Sequence, residues 1–184
     1  NTPIYRSDNL VDWTLIGTAF SDTSRPSWNP KGGIWAPDIN KIGDKYVLYY
    51  SKSEWMGLKD AGVGVATADR PEGPFTDHGC IVSYHNTGVW CSIDPFFIED
   101  EGRKYLIWGS YWDTFGIELT ADGLSVKPGA RKVHIASNFM EGSYVFKRGR
   151  YYYLFGSNGS CCEGANSTYR IVCSRSENVL GPYY

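Results

Sequence analysis

The chain has 184 residues, a formal net charge of -2 and no Lys/Arg block, enough for one domain with a core and no footprint for nucleic acid or an anionic membrane. No apolar run approaches the roughly 20 residues of a spanning helix, and nothing at the start resembles a secretory leader. Aromatic residues make up 16%, with 14 Tyr and 7 Trp, a composition that suits half-buried pleated sheet and stacking on flat apolar faces such as sugar rings.

The opening "TPIYRSDNLVDWTLIG" (2–17) reads as an alternating strand that ends in a polar turn. "GDKYVLYYS" (43–51) follows, an alternating strand led by a glycine turn, and then "GVGVATADRPEGPF" (62–75), a strand that ends in a polar turn. The same pair recurs as "GRKYLIWGS" (102–110) with "FGIELTADGLSVKPG" (115–129), and as "GRYYYLFGS" (149–157) with "TYRIVCSRSENVLGPY" (168–183). The leading glycines stand 59 and 47 residues apart, and helical periodicity is nearly absent. Short strands recurring at that spacing predict an all-β chain of propeller blades, about four strands each: three units, preceded by the trailing half of another. The chain thus reads as a single, incomplete propeller domain over 1–184.

Eight residues before each repeat glycine stand Trp35 in "IWAPDI", Asp94 in "SIDP" and Glu141 in "MEGSYVFKRG". The gapless alignment predicts one equivalent position at the head of three successive strands, so Asp94 and Glu141 are expected to face one cavity. An Asp before Pro also starts ordinary turns, and acids at blade entrances also bind backbone amides. Two carboxylates in one pocket suit glycosidic hydrolysis, in which an acid protonates the leaving oxygen and a carboxylate activates water or attacks carbon. Like charges held close raise at least one pKa of such a pair.

"WAPD" (35–38), "SIDP" (92–95), "EGSYVFKRGRYYYLF" (141–155) and "GSCCEG" with "STYRIVCSRS" and "LGPY" together resemble glycoside hydrolase family 43, the five-bladed propellers that act on arabinans and xylans, and look most like its endo-arabinanase branch. The resemblance covers essentially the whole chain and implies an inverting hydrolase of arabinofuranosyl or xylosyl linkages in plant cell-wall polysaccharide. Glu141 then matches the general acid and Asp94 the residue that tunes and orients it. The family's base sits in an Asp-Pro context that would lie upstream of Asn1, so roughly three of five blades are expected here. "EGSY" departs from the Glu-Gly-Pro or Glu-Ala-Pro of many relatives, which relaxes the turn and leaves the acid in place. The competing reading is a non-catalytic carbohydrate-binding or inactive propeller.

Trp35, Ile93, Ser157 and Trp112 are the candidate substrate contacts. Trp35 is equally a core indole, and Ser157, level with Ser51 and Ser110, also suits the satisfying of backbone groups. Asp38 reads as a buried hydrogen-bonded link. The histidines His78, His85 and His134 show no metal spacing. No cofactor is required; the resemblance allows a calcium ion, held in relatives through a histidine on a later blade. The five cysteines contain no C-x-x-C pair, and Cys161-Cys162 suits two free thiols at least as well as a vicinal disulfide. The expected partner is an oligo- or polysaccharide, with no nucleic acid and no membrane, and the expected location is secreted or periplasmic, with cytoplasmic as the alternative.

Overall fold

A computed structural model describes residues 2–55, 57–137 and 139–184. Its strands fall into four antiparallel sheets in chain order. The first pairs β1 (Pro3–Arg6) with β2 (Thr14–Thr18). The second runs β3 (Gly33–Ile42), β4 (Lys45–Ser53), β5 (Gly62–Ala68), β6 (Thr76–Ser83). The third runs β7 (Phe96–Asp100), β8 (Arg103–Trp108), β9 (Thr114–Glu118), β10 (Val133–Ala136). The fourth holds β11 (Glu141–Arg148), β12 (Tyr151–Asn158) and β13 (Arg170–Ser176). Helix is limited to one turn, Tyr84–Thr87, and a 3-10 turn, Gly164–Asn166.

The sheets stack face to face, and the period of two in each second strand is what stacks them. In β4, Val47 and Tyr49 join Phe97, Leu106 and Trp108 of the third sheet, while Leu48 and Tyr50 join Ala19 and Phe20 beside the first. In β8, Leu106 and Trp108 face back to the second sheet, and Ile107 faces forward to Val145, Tyr152 and Leu154 of the fourth. Strands covered on both faces must read as near-continuous apolar runs, which is why the Gly-led repeats do. Trp108 is fully buried and donates its indole N–H to Ser92 Oγ at 3.2 Å. The first strands β3, β7 and β11 are neighbours, with β7 touching both of the others.

The hairpin between first and second strand is a two-residue turn in each of these three sheets, and that pins the register. Ile42 pairs with Lys45, Asp100 with Arg103 and Arg148 with Tyr151. Counting back from those pairs sets Asp38, Phe96 and Tyr144 level, opposite Tyr49, Ile107 and Phe155. Asp94 is therefore level with Ala36 and Gly142, while Ile93 is level with Trp35 and Glu141. This corrects the gapless alignment by one residue. The turn Glu101-Gly102 carries its glycine second, whereas Gly43 and Gly149 come first in theirs. A two-residue turn can accept a positive φ at either place, so the glycines do not mark one position. Ala36, Asp94 and Gly142 all have positive φ, at 43°, 57° and 62°. In β3 and β11 that residue lies within a bulge, where the ladder slips between Trp35 and Asp38 and between Glu141 and Tyr144.

The two end sheets leave apolar side chains in solvent: Trp13, Leu15 and Ile16 on the first, Tyr144, Phe146 and Ile171 on the last. Patches of this kind mark surfaces that pack against something. Expressed alone, the 184-residue polypeptide is expected to bind a hydrophobic dye and to self-associate; a monomer that binds no dye and melts sharply would contradict this. Trp108→Ala is expected to cost about 3–5 kcal/mol in denaturant unfolding of the full-length protein, because it empties the seam between second and third sheets.

Candidate active site

Asp94 sits just before β7, in the left-handed conformation that aspartate tolerates better than most residues. Three sheets meet on it. Its backbone N–H donates to Ser51 Oγ of β4 at 2.8 Å. Its Oδ2 accepts from Ser110 Oγ and, at 3.2 Å, from the backbone N–H of Gly142 in β11. Ser51 and Ser110 thus serve the loop and the carboxylate directly. Burial is the main influence on the carboxyl and pushes its pKa up; the Ser110 and Gly142 bonds pull it down, and the Glu141 charge adds a smaller upward push.

Glu141, one residue from that amide, opens β11 opposite Ser157 of β12 and is half-buried. Its Oε2 accepts from the Tyr169 hydroxyl, which also bonds Ser157. Tyr111, in the loop after β8, lies near Glu141; burial, then the Glu141 charge, push its phenol up to about 12. Buried Cys91 is likewise pushed up to about 12, by burial first and then by Asp94 and Glu141. Two carboxylates from adjacent sheets therefore act on the same neighbours at the same end of the molecule.

Asp94 opens on a cavity of about 290 Å³ lined by Ala36, Pro37 and Asp38 from β3, Pro95 and Phe96, and Gly142, Ser143 and Tyr144 from β11. Equivalent residues of the three first strands thus converge on one hollow. Asp38 contributes a third carboxylate, whose Oδ2 accepts from Phe97 N–H at 2.6 Å and ties β3 to β7. Burial raises its pKa as well, against the pull of the Phe97 amide bond. Ser143 Oγ is buried there without a hydrogen-bond partner.

The remaining candidates lie around this pair. Trp35 is half-buried over Gly33, where an added side chain would collide with the indole, and its ring centroid is 6.3 Å from that of exposed Trp55. Ser157 lies between Glu141 and Tyr169. Trp112 is exposed, 6.0 Å from Tyr111 in a tilted ring contact, and lines a separate cavity of about 470 Å³ with Trp90, Phe115 and Leu58. Ile93 is buried among Ala61, Cys91 and Tyr111, so it supports the site from below and offers it no surface; the shift of register that moved Asp94 forward left Ile93 in the core. Cys161 and Cys162 are free thiols with sulfurs 2.8 Å apart. Among the described residues no three His, Cys, Asp or Glu side chains gather around a common point. Asp38 and Asp94 already serve amide and hydroxyl donors, which does not make the six-to-eight-oxygen cage calcium takes, so no step is routed through a metal.

The profile of the glycosyl hydrolases family 43 matches residues 1–184. The chain belongs to this family. Among family 43 relatives, it is 33% identical to the probable arabinan endo-1,5-alpha-L-arabinosidase A of Aspergillus flavus over 93% of its own length and 57% of that protein's. It is 32% identical to the extracellular endo-alpha-(1->5)-L-arabinanase 1 of Bacillus subtilis, covering 98% of itself and 58% of the relative. The solved Cellvibrio cellulosa alpha-L-arabinanase complexed with arabinohexaose superposes with a TM-score of 0.87 at 29% identity, over 98% of this chain and 65% of the other. The family 43 chain therefore spans somewhat more than half the length of the relatives it matches, and its all-β, four-sheet fold is theirs.

The raised Asp94 carboxyl gives a stability prediction. The folded state binds the proton more tightly than the unfolded chain, so this stability is complete below the ordinary value of 3.8 and lost as pH rises through the higher folded value. Asp94→Asn cannot lose it. In melts of the full-length protein, the Tm of Asp94→Asn relative to wild type should climb as pH rises from about 3.5 through the mildly acidic range, then level off. A difference independent of pH would refute the burial-driven shift.

Proposed function

We propose that this chain carries the acid side of an inverting family 43 active site that cleaves arabinofuranosyl linkages, with 1,5-linked arabinan the favoured polysaccharide. The observation that carries the proposal is the bond from Gly142 N–H to Asp94 Oδ2, which sets the Asp94 carboxylate one residue from Glu141. Glu141 protonates the glycosidic oxygen as the bond to the anomeric carbon breaks. Asp94 sits behind it, bonded to the Gly142 amide, and holds the turn that carries Glu141. Asp38, committed to the Phe97 amide, takes no chemical step. In an inverting reaction a base activates water on the far face of the sugar, about 6.5–9.5 Å from the acid, and by the family pattern that base is an Asp-Pro aspartate outside residues 1–184. The proposal needs no cofactor.

The substrate class follows the relatives named for arabinan and the arabinohexaose complex. Trp35 with Trp55, and Tyr111 with Trp112, supply aromatic faces suited to stacking on furanose rings. No helix is long and apolar enough to cross a membrane among the described residues, and the Bacillus relative is named extracellular; we assign the protein to the secreted class. Face-to-face sheets with adjacent first strands support a five-bladed propeller of which these residues make about three blades.

In the full-length protein, Glu141→Gln should reduce turnover of linear arabinan by about 10²–10⁴-fold, the usual contribution of a general acid. An aryl arabinofuranoside with a good leaving group should lose far less, because its departure needs little protonation. Full activity of the variant on arabinan would overturn the assignment and favour a non-catalytic carbohydrate-binding propeller.

A further inference from the structure

Glu141 is held by Tyr169, a residue inside the "STYRIVCSRS" stretch to which the sequence pattern assigns no role. Glu141, Ser157 and Ile171 lie abreast on β11, β12 and β13. Tyr169 stands two residues ahead of Ile171 and reaches back across Ser157 to donate its hydroxyl to Glu141 Oε2. A long exposed side chain normally pays rotamer entropy to hold such a pose. Here the loop that delivers it is closed at its neck. Thr168 N–H donates to Ser160 O at 3.0 Å and Ser160 N–H to Thr168 Oγ1 at 3.1 Å. Gly159, at φ 113°, passes so near Thr168 O that an added Cβ would lie 2.5 Å from it. Glu163 N–H donates to Ser167 Oγ at 3.0 Å within the loop. The phenol is therefore delivered by a braced loop.

We infer that Tyr169 is the positioning residue of Glu141: its hydroxyl fixes Oε2 as the acceptor oxygen and leaves Oε1 to carry the proton delivered to the glycosidic oxygen. This rests on the reading of Glu141 as the general acid. The proton leaves Oε1, the O–H bond forms on the glycosidic oxygen as the bond to the anomeric carbon breaks, and the negative charge left on the carboxylate is shared with Oε2. A hydrogen bond to an ionised acceptor is roughly twice as strong as one between neutral partners, so the Tyr169 bond tightens as the proton departs. An interaction that strengthens toward the transition state acts on kcat and leaves substrate affinity alone.

The test is Tyr169→Phe in the full-length protein, with linear arabinan and an aryl arabinofuranoside of good leaving group assayed side by side. Deleting one oxygen from a half-exposed ring keeps the packing. We expect kcat on arabinan to fall by about 10–100-fold with KM within about twofold, and the aryl substrate to be affected much less. Tyr169→Phe added to Glu141→Gln should cost nothing further, because the bond acts only through that carboxyl. Equal losses on both substrates, a loss confined to KM, or an unchanged kcat would each overturn the role while leaving the acid assignment intact. If Glu141→Gln itself retains arabinan hydrolysis, the failure lies in the assignment of the acid, and the role of Tyr169 falls with it.

Discussion

The backbone amide of Gly142 donating to the carboxylate of Asp94 is the contact on which the site is built. It joins the turn before β7 to the bulge in β11, while the Asp94 amide reaches Ser51 in β4. Removing any one of the three sheets would leave a buried polar group of this node without its partner, a penalty of about 1–3 kcal/mol per group. Hydrophobic faces stack the sheets, but they carry little directional information; the node sets how their ends align. Asp38, bonded to the Phe97 amide, repeats the device one step away between β3 and β7.

Charge follows from that placement. A carboxylate desolvated enough to be pushed upward is costly to keep, and Asp94 is kept by two donors that oppose the push. Glu141 is arranged differently: the Tyr169 phenol bonds it, no cation does among the described contacts, and it is half-buried at the same end. One carboxylate is committed to the scaffold and the other to the opening, a division that environment imposes on two side chains of the same chemistry.

Much of this was legible in the sequence. Strands covered on both faces announced themselves as apolar runs such as "KYVLYY" and "KYLIW", and the glycine turns located the hairpins. The strand read at the start belongs to the two-stranded β1–β2 sheet. The pairing of Asp94 with Glu141 was legible as proximity but misplaced by one residue, because a glycine satisfies either position of a two-residue turn and only the hydrogen-bonded ladder tells which. Ile93 was drawn into the candidate contacts by its neighbour and belongs to the core. Tyr169 stood within "STYRIVCSRS", but its role was not legible, since its reach depends on a loop closed by Thr168 and Ser160, and no periodicity encodes where such a neck brings a side chain. Ser110 was visible as a recurring residue, but its bond to a carboxylate was not.

The positive φ shared by Ala36, Asp94 and Gly142 has an evolutionary consequence. At that place in the first strand the backbone rewards glycine, asparagine or aspartate, and at Asp94 the node further demands an acceptor. A family member without hydrolytic activity would still be selected to retain a short polar side chain there, so aspartate or asparagine at this position in a distant sequence testifies to intact geometry and is silent about catalysis. On the proposed reading of Glu141 as the acid, the glutamate beside the glycine is what separates an active relative from a bare scaffold.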